Sequence, residues 1–280
     1  MVQLPLEDNA GDVISKAMRG ADLGDTALGR LAGVSPEAVQ AARKNQGDEA
    51  TLRAIAPPLQ LGTEALLAMA RGGWLPRPVA FPDGFAMATT PFHDMTVNAY
   101  LVWDPTTKQA AAFDTGATAE PLLATLRRYG LKLEFIFLTH THHDHIADLV
   151  TLIKTAHAPV WASEREPIAG GHSFGEGKTF EVGALRIHTL STWGHSRGGA
   201  SYVVNGLAHP LAIVGDSLFA SSMGGGMESY PDAHRNNVEK VLRLPAATVL
   251  ACGHGPLTTV GEELEHNPFF AQCGTPSRLL

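Results

Sequence analysis

The chain is 280 residues long and 44% hydrophobic, with 21 basic against 28 acidic side chains and a formal net charge of -7. That length allows one or two domains and a sizeable core, while the negative balance excludes the global positive field that gathers nucleic acid or anionic lipid. No apolar run reaches the ~18 residues of a membrane span, the opening MVQLPLEDNAGDVISK lacks a basic or apolar leader stretch, and two cysteines, Cys252 and Cys273, make no disulfide framework, so the composition points to a cytoplasmic globular protein.

From about Asp12 to Arg71, apolar residues such as Leu28, Leu31, Ala32, Val39, Leu52, Ile55 and Leu66 recur at three- and four-residue spacings, which predicts helices only. Within this stretch DTALGRLAGVSPEAVQAARKN places Gly33 in a turn, Ser35 at an N-cap and Pro36 at a first helical position, and it resembles a helix-turn-helix. Gly72, Gly73, Pro76, Pro78 and Pro82 then break the pattern and mark a boundary near residue 74. We therefore expect a small all-α domain over 1–73 and a second domain over 74–280. In the second, the runs NAYLVWD, QAAAFDTG, LEFIFLTH, APVWAS, LRIHTLST, ASYVVNG, LAIVGDSLF and ATVLACGH read as strands. AEPLLATLRRYG, HIADLVTLIKTAH and DAHRNNVEKVLRL have helical period, which makes this part α/β.

The chain carries 13 histidines, and the segment FLTHTHHDHIADL crowds His140, His142, His143, Asp144 and His145 into six positions after a predicted buried strand. Packing does not call for that density of polar rings. Imidazole nitrogens and carboxylate oxygens converging on one cavity are the donor set for zinc, non-haem iron or manganese.

This run resembles the His-x-His-x-Asp-His signature of the metallo-β-lactamase superfamily, and the resemblance extends through Asp114 in FDTG, His195 in GHSRGG, Asp216 in GDSLF and His254 in GHGP, over residues 85 to 270. It implies an αββα sandwich with the site on the rim where loops meet. It also implies two divalent metal ions, zinc first with iron or manganese as alternatives. His140, His142 and His195 would hold one ion and Asp144, His145 and His254 the other, with Asp216 bridging. Asp114 would accept a hydrogen bond from a ligand imidazole. His143 takes the variable position and is expected to face solvent or pack in the loop.

The same resemblance implies attack by a metal-bridging hydroxide on a polarised carbonyl, with Asp144 helping to move a proton. The tail GHGPLTTVGEELEHNPFF and the GDSLF motif are similar to glyoxalase II-like hydrolases of a compact bacterial type, so a thioester of a small acyl compound is the first substrate expectation. Full-length glyoxalase II has a further C-terminal helical domain that holds glutathione; here the sequence ends soon after Phe270, so glutathione recognition is not implied. A lactonase and a mononuclear iron sulfur dioxygenase are the alternative enzymes. Arg197, His93 and Trp193 are the candidate substrate contacts, and Cys252 reads as a small core residue. A regulator of another class, which senses a metabolite and binds DNA through Gln40, Arg43, Lys44 and Asn45, is opposed by the acidic balance of the N-terminal stretch. The preferred expectation is a helical domain that packs beside the active site or forms a homodimer interface.

Overall fold

The computed structural model describes residues 4–79 and 83–271; Pro82 and Cys273 lie outside them. Five helices come first: α1 (Ala10–Gly20), α2 (Asp25–Ala32), α3 (Pro36–Arg43), α4 (Glu49–Ile55) and α5 (Thr63–Ala70). Their ends follow from local chemistry. Asn9 caps α1 with a capping box, and Gly33 ends α2 at φ 69°. The Ser35 hydroxyl accepts from Ala38 N, with Pro36 in the first turn of α3. Leu28 of α2 is buried, whereas Leu31 stays 63% exposed.

Two six-stranded sheets follow. The first contains β1 (Phe85–Phe92), β2 (Met95–Trp103), β3 (Gln109–Phe113), β4 (Lys132–Phe137), β5 (Val160–Ser163) and β6 (His172–Phe174), in that spatial order. Strands β1 to β3 are antiparallel, and β3 to β6 run parallel. The parallel crossovers carry α6 (Glu120–Tyr129), and α7 (His143–Ile146) with α8 (Leu149–Ala156). The second sheet contains β7 (Thr179–Val182), β8 (Leu185–Ser191), β9 (Ala200–Asn205), β10 (Leu211–Gly215), β11 (Val249–Cys252) and β12 (Thr258–Thr259). Helix α9 (Tyr230–Glu239) joins β10 to β11, which are parallel, and α10 (Val260–His266) follows β12.

Alternation along the strands divides the apolar residues into three layers. Val102, Phe113, Phe137, Phe180, Ile187, Tyr202 and Ile213 fill the space between the sheets, with Phe137 and Phe180 ring centroids 4.8 Å apart. Leu101, Ala112 and Ile136 face the other way and meet Leu122, Leu126, Leu149 and Leu152 of α6 and α8. On the far side of the second sheet, Ala212, Val214, Leu250 and Cys252 share a core with Val13, Ile14, Leu28, Ile55 and Leu66 of α1, α2, α4 and α5. The order is therefore helix, sheet, sheet, helix, with α1–α5 contributing to the outer layer of the second sheet. No helix among the described residues is long and apolar enough to cross a membrane.

Candidate metal centre

The chemistry-bearing residues stand where strands end. Asp114 directly follows β3, His140 and His142 follow β4, and Asp144 and His145 lie in α7. His195 sits in the β8–β9 loop, Asp216 directly follows β10, and His254 follows β11. Strands β3 and β4 are parallel neighbours in one sheet and β10 and β11 in the other, so their C-terminal ends open on the same rim.

There, donor atoms of His140, His142, His195 and Asp216 form one group and those of Asp144, His145 and His254 a second, each within 4.8 Å. Asp216 reaches both. Its Oδ2 lies 3.4 Å from His195 Nε2 and 3.4 Å from His254 Nε2, and its Oδ1 lies 3.2 Å from His145 Nε2. Asp144 Oδ2 is 3.2 Å from His254 Nε2 and 3.4 Å from His145 Nε2.

Four imidazoles are also held from behind. His145 Nδ1 lies 2.8 Å from Asp114 Oδ2, His195 Nδ1 3.0 Å from Gly225 O, His254 Nδ1 2.6 Å from Thr96 O, and His140 Nδ1 3.0 Å from Thr139 Oγ1. Asp114 in turn accepts from Thr139 N and Oγ1, and it takes φ 59°, a conformation that costs a non-glycine residue energy and is concentrated at functional sites. The buried Asn98 side chain donates to Cys252 O and Gly255 O, tying the His254 loop of one sheet to β2 of the other.

The electrostatics fit a cation. Burial alone would push His145 and His254 down, yet Asp216, with Asp114 beside His145 and Asp144 beside His254, raises them to about 10 and about 11. Burial would raise Asp216, but His145 and His254 hold it well below the usual carboxylate range. His140 and His195 are pushed down by burial. The carboxylates thus demand positive charge, which protons on two imidazoles supply unless a divalent ion takes their place. His145 Nε2 and Asp216 Oδ1 are both buried and face each other at 3.2 Å without an aligned hydrogen bond, as two ligand atoms of one ion would. Five imidazoles and two carboxylates suit a pair of ions.

The family pattern described as Metallo-beta-lactamase superfamily matches residues 94–254, more than half of the chain. The chain belongs to the metallo-β-lactamase superfamily. It is 32% identical over 161 residues to a hydroxyacylglutathione hydrolase of Jannaschia sp. strain CCS1, a match covering 56% of this chain and 61% of that relative. The chain thus spans less than two thirds of that relative's length. Among solved structures it resembles the BLEG-1 B3 metallo-beta-lactamase, with TM-score 0.57, 30% identity, and coverage of 66% of this chain and 99% of that one. It also resembles TTHA1623 in a di-iron-bound form, with TM-score 0.54, 26% identity, and coverage of 68% and 100%.

Other candidates lie differently on this metallo-β-lactamase fold. His93 occupies the β1–β2 turn at φ 53°, exposed, its ring 4.6 Å from Phe92, which in turn stands 5.7 Å from the exposed His143. Arg197 is exposed in the His195 loop. Trp193 is half-buried beneath the Arg165 guanidinium, 3.8 Å from its ring centroid. Cys252 is buried in the core. Sequence reasoning missed Thr96, Asn98, Thr139, Glu166 and Gly225. Two of these act through backbone carbonyls, which leave no residue-type signal.

Proposed function

We propose that the chain is a cytoplasmic dinuclear metallo-hydrolase that cleaves a thioester of a small acyl compound. The observation that carries this reading is the convergence of seven donor side chains into two groups that share Asp216. His140, His142 and His195 would hold one ion, Asp144, His145 and His254 the other, and Asp216 would reach both. Two divalent cations, zinc first with iron or manganese as alternatives, supply Lewis acidity toward a carbonyl and bring the pKa of water from about 15.7 toward neutrality.

The protein's own groups do the rest. Asp114 and the carbonyls of Thr96 and Gly225 hold the imidazoles of His145, His254 and His195 in one tautomer and one orientation. Asp144, half-buried at the rim, would carry a proton to the departing group. The thioester is favoured over a lactone by the similarity to hydroxyacylglutathione hydrolase.

Metal analysis of the purified protein, followed by anaerobic assays on thioesters, lactones and β-lactams, tests the reading. Two ions per chain and anaerobic thioester turnover are expected. One iron per chain with oxygen consumption would replace hydrolysis by dioxygenase chemistry, and a preference for lactones would reassign the substrate.

A further inference from the structure

His142 differs from the other four imidazoles of the centre. Each of those has its outer nitrogen anchored by Thr139, Asp114, Gly225 or Thr96. His142 turns Nδ1 inward, 3.0 Å from His140 Nε2 and 3.1 Å from His195 Nε2, and among the described residues its exposed ring has no anchor of that kind. A ligand imidazole without an outer hydrogen bond depends more on where its backbone sits, because no second contact locates the ring.

That backbone is fixed through its neighbour, Thr141. Glu166, three residues after β5, accepts from Thr141 N at 3.0 Å and from the Thr141 hydroxyl with Oε1. Its other oxygen, Oε2, accepts from Gly198 N at 2.7 Å. Thr141 lies between His140 and His142, and Gly198 lies three residues beyond His195. One half-buried carboxylate therefore joins the loop carrying two ligands of the first group to the loop carrying the third. The approach is close enough that a Cβ on Gly198 would stand 2.2 Å from Glu166 Cβ. Glu166 itself is anchored, since its N–H donates to Ser163 O at 3.0 Å.

We propose that Glu166 is a positioning residue that holds the loop of His140 and His142 against the loop of His195 at the separation a shared cation needs. The proposal rests on His140, His142 and His195 forming one ligand group, and it adds a specific determinant of that group's affinity. Charge-assisted bonds accepted by both oxygens favour a carboxylate over an amide here. A glutamine's amide oxygen still accepts from Thr141, but its NH2 then meets the Gly198 N–H donor to donor.

The test is a titration of metal-free protein with Co(II), followed by visible absorption, on wild type, Glu166→Ala, Glu166→Gln and, as reference, His142→Ala. Wild type should show two binding steps. Glu166→Ala should weaken the same step that His142→Ala weakens, by about 10–100-fold, and leave the other step unchanged; Glu166→Gln should fall between. Equal weakening of both steps together with a lower melting temperature would mean that Glu166 only supports the fold, and unchanged steps would mean that it supports nothing at the centre; either overturns the proposal. If the alanine variant does not fold, the glutamine variant decides. Wild-type protein that takes up no cobalt would sink the metal-centre reading, and the proposal with it.

Discussion

Asp216 contacts donors of both groups, so its loss should affect an ion held by either. Asp216→Ala should reduce bound metal to one ion per chain or fewer and lower hydrolysis by about 100-fold or more, at or beyond the upper end of what loss of an outer partner costs. Elemental analysis and rate measured on the same sample check this, and full metal with full activity would contradict the shared role. Gly253 is equally constrained, for a steric reason. A Cβ there would stand 2.0 Å from Asp216 Oδ1 and 2.7 Å from His145 Cε1. Gly253→Ala should displace Asp216, cost about 1–3 kcal/mol of stability through overpacking, and lower metal occupancy; a variant with wild-type metal content would show that the loop gives way freely. The crowding of His140, His142, His143, Asp144 and His145 was legible in the sequence as a spacing that packing does not require, whereas His195, Asp216 and His254 entered only through the resemblance to the metallo-β-lactamase pattern. Glu166 was not legible, because one of two glutamates in SEREP looks like any surface charge until the fold brings Thr141 and Gly198 to it.

Among the elements, eight strands stood out as apolar or β-branched runs. The unread strands are β1, half-exposed with Thr89, Thr90 and Pro91 in it, and the short β6, β7 and β12. The stretch HIADLVTLIKTAH, continuous by periodicity, is broken at Ala147 and Asp148, where the Asp148 carboxylate accepts from Ala119 N at 2.8 Å and leaves the helical path. Helix α10 was also missed, and it carries the fully buried Glu263. Burial raises that carboxyl to about 8 against hydrogen bonds from Thr258, Asn267 and Ser221 that lower it. The sign follows from the proton count. Below about 4.5 both folded and unfolded states are protonated; between there and about 8 only the unfolded chain is ionised, so stability falls as pH rises, by about 1.4 kcal/mol per pH unit, and levels off above. In Glu263→Gln the amide oxygen, in place of Oε2, can accept from Ser221 N and Asn267 Nδ2, and the NH2 can donate to Thr258 Oγ1. This variant should lose that slope and melt at or above wild type near pH 8. Denaturant unfolding as a function of pH reads the slope directly, and an unchanged slope would show that Glu263 is ionised when folded.

Over the whole molecule, the outer face of the second sheet and the N-terminal helices bury one another's apolar residues in a single cluster. Polar ties reinforce it: Lys16 of α1 donates to Met223 O at 2.9 Å, and Asp8 accepts from the Ser222 hydroxyl at 2.5 Å, both in the segment that follows Asp216. Periodicity marked these helices in the sequence, but a hydrophobic stripe does not say which surface will cover it. Ile14, fully buried in this cluster, should therefore matter to the entire chain. Ile14→Ala should cost about 2–5 kcal/mol and shift one cooperative transition seen alike by far-UV and near-UV dichroism; two separate transitions would show that the helices unfold on their own.

The account depends on two cations sitting among seven side chains of this rim. Diffraction from a zinc-soaked crystal at the zinc absorption edge locates them directly. The account predicts two anomalous peaks per chain, about 3.5–4 Å apart, one among His140, His142 and His195 and one among Asp144, His145 and His254, with Asp216 between them. A single peak, or peaks elsewhere with these side chains empty, would contradict it.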